Sequence, residues 1–381
     1  MSREHAQLLH KSRILDSIRR IVVKIGSSVL SDVGGVHKAR IAQLVTDLSV
    51  LHTAGTEIVL VTSGAVAAGM GALNMKSRPQ TIPTKQAAAA VGQITLMALY
   101  EECFSAQHIR VGQILLTHDD LANRRRYLNA KHTILTLIEA GVLPIVNEND
   151  TVAVEEIQFG DNDNLSSQVA VLIEADLLIM LSDVAGLYET DPRVDEQARR
   201  IACVEKIDER LMAQCGEAGP LGRGGMASKL EAAQKAALCG IPSILADGRQ
   251  ERALSWIFDP KKEVGTLFLP VSDRIASRKY WIAYTLKTTG SLCLDPGAAA
   301  AIRRDGRSLL PAGVREVRGI FEEGDCVTCL DEHGNEFARG LVNYSAQALI
   351  RITGIHTSQI ETTLGYKVSD EVIHRDDLAL L

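Results

Sequence analysis

The apolar positions of this chain fall into two rhythms. Short, nearly unbroken apolar runs read as buried strands: IVVKIG (21–26), EIVLVTSG (57–64), IRVGQILLT (109–117), VLPIVNEND (142–150), DLLIMLSD (176–183) and IPSILADG (241–248). Longer stretches with helical spacing lie between them, including KARIAQLVTDLSVLHTAG (38–55), QAAAAVGQITLMALYEECF (86–104), YLNAKHTILTLIEAG (127–141) and SKLEAAQKAALCG (228–240). Strands of about five residues alternating with helices predict a mainly parallel sheet covered on both faces. TVAVEEIQF (151–159) has the alternation of a short hairpin. This first domain spans residues 1–270.

The texture then changes. From residue 277 the pieces are short and strand-like: KYWIAYTL, GSLCLD, REVRGIF, DCVTCLD and EFARGLVNY. Turn residues separate them, and one AAAAI stretch is helix-like. This predicts a small β-rich domain over 277–357 with Greek-key or barrel-like closure. The remainder, 358–381, reads as a partly ordered tail.

Composition narrows the functional classes. The 381 residues carry a formal net charge of −6, so neither nucleic acid nor an anionic membrane is the expected main partner. Residues 277–357 hold ten Lys/Arg against nine Asp/Glu, too even a balance to favour RNA electrostatically. No apolar run approaches the ~20 residues that span a bilayer, and the polar N-terminus lacks the apolar core of a signal peptide. A cytoplasmic protein is the expectation. Seven scattered cysteines fit a reducing compartment. Cys326 and Cys329 are three apart on a predicted strand, point to opposite faces and lack the further ligands of a zinc site.

Candidate chemistry follows from the sheet. Ligands of open parallel sheets bind beyond the carboxyl ends of the strands. That rule picks out Lys24 with the Gly-Ser-Ser turn after it, Ser63-Gly64-Ala65, NEND (147–150) and Ser182-Asp183. Lys24 lies within an apolar strand, so it is either an edge residue facing water or a cation aimed at an anion. GRGGMASK (222–229) lacks the spacing of a P-loop, but its glycines precede a predicted helix whose free amides can hold phosphate. The alternative is a mobile surface loop with a solvated lysine.

GDNDN (160–164) lies one predicted hairpin away from NEND, so both acid-amide clusters can return to one place. A calcium loop is excluded, because counting from Asp161 puts Ser166 and Leu172 where glycine and glutamate are required. Asp163 or Asn164 can instead cap the following helix, worth about 1 kcal/mol. Lysines, a glycine-rich anion loop and acid-amide clusters together point to phosphoryl transfer. A carboxylate acceptor would need no general base, being ionised near neutral pH.

Taken together, IVVKIGSSVL, VTSGAVAAG, KQAAAAVGQ, LLTHDDLANRRRYLNA, VLPIVNENDTV, FGDNDNLS, SDVAGLYETDPR, GRGGMASKL, LDPGAAAAIRRDGRSLLPAGV and ARGLVNYSAQAL resemble the glutamate 5-kinase family in its bacterial two-domain form. The resemblance implies an amino-acid kinase fold, a three-layer α/β/α sandwich, followed by a PUA-like barrel. It implies transfer of the γ-phosphoryl group of ATP, with Mg²⁺ carried mainly on the ATP phosphates, to the side-chain carboxylate of L-glutamate, the first step of proline synthesis. Lys24 and Lys229 would stabilise the phosphates and Asp163 would organise the two lysines. Ser63, Asp150 and Asn162 would hold glutamate. Lys24, Ser182, Asp183 and the stretch Arg223, Gly224, Gly225, Met226, Ala227, Ser228 and Lys229 would bind ATP. Many members carry threonine where this chain has Arg223. Inhibition by proline and assembly as a homo-dimer or homo-tetramer are further implications, with the PUA-like domain structural or regulatory. Two alternatives stand beside it: a kinase of the same fold acting on acetylglutamate, aspartate or carbamate, and an RNA-binding or sensor protein with a degenerate kinase domain.

Overall fold

The computed structural model describes residues 10–32, 35–152, 162–192, 194, 195, 197–215, 225–271 and 277–381. The chain divides into two compact units, residues 1–118 with 129–274, and residues 119–128 with 275–381. The expected hairpin at 151–159 lies almost wholly outside the described residues.

The main sheet of the first unit contains β1 (Arg20–Ile25), β2 (Glu57–Thr62), β3 (Arg110–Leu116), β4 (Val142–Glu148), β5 (Leu177–Ser182), β6 (Cys203–Val204), β7 (Ser243–Asp247) and β8 (Thr266–Phe268), all but β6 and β8 formed by the six apolar runs. Their order across the sheet is β3-β4-β2-β1-β5-β7-β8-β6. β1 lies between β2 and β5 with parallel register on both sides, and β8 runs antiparallel to β7. β6 and β8 were not expected from the pattern, because two or three residues are too few to show a period.

Strand alternation sorts β1 between two layers. Ile21, Val23 and Ile25 join a core with Ile41, Leu44, Val45 and Leu48 of α1 (Lys38–Thr53) and Leu96, Tyr100 and Phe104 of the later helix α3 (Ile82–Ser105). Val22 and Lys24 therefore face the opposite layer. That layer holds α4 (Asn162–Leu172) and α5 (Met226–Leu238), which pack on each other, α4 lying against β1 and β5. The result is the expected helix-sheet-helix sandwich.

Two turns of close packing fix the first of these layers. Ser63-Gly64 follows β2, and Gly64 adopts φ +103°, a left-handed conformation that glycine enters without a side-chain clash. The chain can then turn directly into α2 (Ala65–Ala72). α2 and α3 meet backbone to backbone: a Cβ on Gly69 would lie 1.7 Å from the Ala88 carbonyl oxygen, and one on Gly92 would lie 1.8 Å from that of Ala65.

The second unit contains β9 (Gly290–Leu294), α6 (Pro296–Asp305), β10 (Val314–Gly319), β11 (Cys326–Leu330), β12 (Glu336–Leu341) and β13 (Leu378–Leu380), with sheet order β10-β9-β11-β12-β13. Asp295 caps α6 by accepting from the Ala298 amide at 2.8 Å. Cys326 and Cys329 are free and both are buried, in a strand covered on both faces.

Two expectations are corrected in this unit. KYWIAYTL is not a strand; it forms a helical turn, Ser277–Tyr280, running into a π-helix, Trp281–Thr285. A short apolar run cannot separate the two periods, and here Trp281 decides: its Nε1 donates to the Leu121 carbonyl at 2.8 Å and its ring stacks on Tyr127. Residues 358–381 are not a loose tail either. Val372 and Ile373 are fully buried, Ile373 bridges Leu309, and β13 completes the sheet against β12. Among the described residues no helix is long and apolar enough to cross a membrane.

The helix contact yields a stability prediction. Gly92→Ala forces α2 and α3 apart and is expected to cost about 3 kcal/mol or more, read by urea unfolding. An unchanged midpoint would show that the contact relaxes freely.

Candidate active site

Lys24 occupies the penultimate position of β1, on the face turned to α4 and α5. Asp163 is in the first turn of α4 and Lys229 in the first turn of α5. The three meet: Lys24 Nζ donates to Asp163 Oδ1 at 2.6 Å, and Lys229 Nζ donates to Oδ2 at 3.1 Å. Ser228 Oγ donates to Oδ2 as well, at 2.8 Å. All three charged residues are buried, with exposures of 6% for Lys24, 3% for Asp163 and 7% for Lys229. Burial by itself would raise the Asp163 carboxyl. The two ammonium groups, helped by hydrogen bonds from Lys24 and Ser228, outweigh that and hold it at about 2. The cluster therefore carries two positive charges and one negative, a net positive site at the end of a strand and the starts of two helices. Helix N-termini add partial positive charge of their own.

Beside it runs a line of amides. Asn162 Nδ2 lies 2.7 Å from the Thr62 carbonyl oxygen, 2.8 Å from Ser63 Oγ and 3.0 Å from Asn147 Oδ1. Asn147 Nδ2 in turn donates to Gln93 Oε1 at 2.8 Å. The structure thus brings Ser63 and Asn162 together. Asp150 follows β4, two residues past its end, and burial pushes its carboxyl up to about 6. A cleft of about 620 Å³ opens past the end of β1, with Ser27 and Ser28 on its lining together with Lys76 and Arg78.

Of the residues expected to meet the nucleotide, Ser182 ends β5 and its hydroxyl donates to Asp183 Oδ1 at 3.1 Å. The Asp183 carbonyl accepts from Arg249 at 2.6 Å. Gly225 is the residue before α5, whose first three positions are Met226, Ala227 and Ser228. Arg223 and Gly224 lie outside the described residues. Ser228 holds Asp163, a contact the sequence did not reveal, since nothing in GRGGMASK says which way a hydroxyl turns. Asn147 is within the NEND cluster that the strand-end rule picks out, but that rule attaches no role to it. Gln93 could not be found by that rule, because it sits within a long helix.

The description "Amino acid kinase family" belongs to the family model that matches residues 19–247, and "PUA domain" to the one that matches residues 290–364. The chain is 49% identical over 373 residues to a glutamate 5-kinase of Geobacter sp. (strain M21), covering 97% of this chain and 100% of that protein. The chain belongs to the glutamate 5-kinase family. Two other glutamate 5-kinases show the same breadth of similarity. That of Syntrophotalea carbinolica is 49% identical over 96% of this chain and 98% of its own length. That of Meiothermus ruber is 50% identical over 95% and 96%. The family's kinase and PUA parts correspond to the helix-covered sheet and to the β-rich unit.

For this glutamate 5-kinase family member, the buried carboxylate should be structurally costly to remove. Asp163→Asn leaves two buried lysines without their counter-charge, an expected loss of about 3 to 5 kcal/mol in urea unfolding at pH 7. The sign of the pH dependence follows from the lowered carboxyl: its contribution is present above the ordinary value of 3.8 and is lost as pH falls through about 2. The penalty should therefore be equal at pH 7 and pH 5. A penalty that halves by pH 5 would contradict it.

Proposed function

We propose that the chain transfers the γ-phosphoryl group of ATP to the side-chain carboxylate of L-glutamate, giving L-glutamyl 5-phosphate and ADP, as the first step of proline synthesis. The observation that carries the reading is the buried Lys24-Asp163-Lys229 cluster beside the Ser63-Asn162 pair. A glutamate oxygen forms the new bond to γ-phosphorus while the bond from γ-phosphorus to the β-γ bridging oxygen breaks and ADP leaves. Lys24 and Lys229 stabilise the charge on the phosphoryl oxygens as they move. Asp163 orients both lysines. It is not the base: a carboxyl held at about 2 takes up protons too weakly, and the acceptor is already ionised.

Ser63 and Asn162 hold the acceptor, and Asp150 pairs with its ammonium group. Ser182, Asp183 and the stretch from Arg223 to Lys229 bind the nucleotide. The ATP phosphates would carry Mg²⁺, which would neutralise charge there. Both Asp163 oxygens are engaged by lysines. Residues 1–270 carry the catalysis, with the PUA-like residues 277–357 structural or regulatory. Proline competes at or beside the acceptor site, and the protein works as a homo-dimer or homo-tetramer in the cytoplasm.

An acceptor panel with ATP and Mg²⁺, followed by ADP release, tests the reaction. Glutamate should turn over, while acetylglutamate and aspartate should not; robust acetylglutamate turnover without glutamate turnover would overturn the reading. Lys24→Ala and Lys229→Ala should each lower kcat by about a hundredfold or more in folded protein. A proline titration and the mass in solution test inhibition and assembly.

Asp150 gives a pH prediction. Its carboxylate must be ionised to pair with an ammonium group, and burial raises it to about 6. kcat/KM for glutamate should therefore rise as pH increases through about 6, reporting the free enzyme. Asp150→Asn should remove that limb while raising KM for glutamate. A limb that survives the substitution belongs to another group.

A further inference from the structure

The line of amides beside the lysines has a direction, set by one backbone atom. The Thr62 carbonyl can only accept, so the Asn162 amide must turn its NH₂ towards it. The same NH₂ donates to Asn147 Oδ1, which turns the Asn147 NH₂ towards Gln93. Gln93 must then accept through Oε1. Two groups are left over: Asn162 Oδ1, an acceptor, and Gln93 Nε2, a donor. Both are buried, and neither has a hydrogen-bond partner among the described residues. Asn162 as a whole is 7% exposed. Buried polar groups left without partners are rare in native proteins, and each calls for a partner or a reason. Gln93 is held in place for this by Gly92 beside it, whose missing side chain lets α3 touch α2.

We propose that Gln93 is a substrate-binding and specificity-determining residue, whose Nε2 donates to the α-carboxylate of the acceptor amino acid. This assignment rests on the reading of glutamate as acceptor. Asn162 adjoins Asp163 in the chain and lies at the lysine end of the relay, whereas Gln93 lies two hydrogen bonds further along. The acceptor's reacting carboxylate belongs with the lysines, so the relay's far end meets its other carboxylate. Asn162 Oδ1 accepts from the ammonium group between them. Of Gln93's two amide atoms, one is spent on Asn147 and the other on the substrate. Exchange of that second atom for oxygen turns a donor into a carboxylate facing a carboxylate.

The test compares L-glutamate with its α-amide, L-isoglutamine, in which the side-chain carboxylate is intact and the α-carboxylate is replaced. The wild type should prefer glutamate in kcat/KM by at least about tenfold. Gln93→Glu should raise KM for glutamate by about tenfold or more while leaving KM for ATP within about twofold, and should shrink the preference over isoglutamine about tenfold. A merely structural residue would instead lower kcat or stability without changing which acceptor is preferred. Equal use of the two acceptors by the wild type overturns the assignment without any variant. So does an unchanged KM for glutamate and an unchanged preference in a Gln93→Glu protein that melts like the wild type. Failure of the wild type to phosphorylate glutamate at all would overturn the reaction, and this assignment with it.

Discussion

A single carboxylate, that of Asp163, is the constraint around which the catalytic unit is arranged. Two lysines buried at the end of a strand and the start of a helix would repel each other and resist desolvation. The carboxylate between them makes their burial tolerable, and its two oxygens fix their separation. Because one oxygen meets β1 and the other meets α5, the same contact ties the sheet to two helices. The residual charge of the trio is positive, which is what an arriving polyphosphate requires.

The opposite layer is held together by a different means. There the helices approach through glycine rather than through charge, and the contact of α2 with α3 carries Gln93 to Asn147. Charge gathers one end of the site, around Asp163, whereas amides with a fixed sense line the end beside it. The separation is physically sensible. A phosphoryl group needs strong, orientation-tolerant attraction, while discrimination among amino acids needs donors and acceptors whose positions cannot be exchanged.

Much of this was legible in the chain. The strand-helix alternation yielded the parallel sheet, and the strand-end rule pointed to Lys24 and Ser63, which hydrogen-bond to the neighbouring residues Asp163 and Asn162 at the start of α4. Where the reading failed, the local signal was ambiguous. KYWIAYTL is equally compatible with either period, and the Trp281 hydrogen bond and ring contact decided it. The C-terminal segment carries only paired apolar residues, Val372-Ile373 and Leu378-Ala379, too short for a period, yet all four are buried. The role of Ser228 was hidden because a hydroxyl's direction depends on what packs over it.

The sequence by itself determined the layers, since alternation along β1 sends Lys24 to the face opposite Ile21, Val23 and Ile25. It also determined the chemical types available: two lysines, one acid able to join them, and a cluster of amides. Only the tertiary structure decided which groups meet. Asp163 is 139 residues from Lys24 and 66 from Lys229, and no local pattern encodes a contact of that span. The direction of the amide relay was likewise invisible, because it depends on a backbone carbonyl, Thr62, whose orientation exists only once β2 is paired in the sheet.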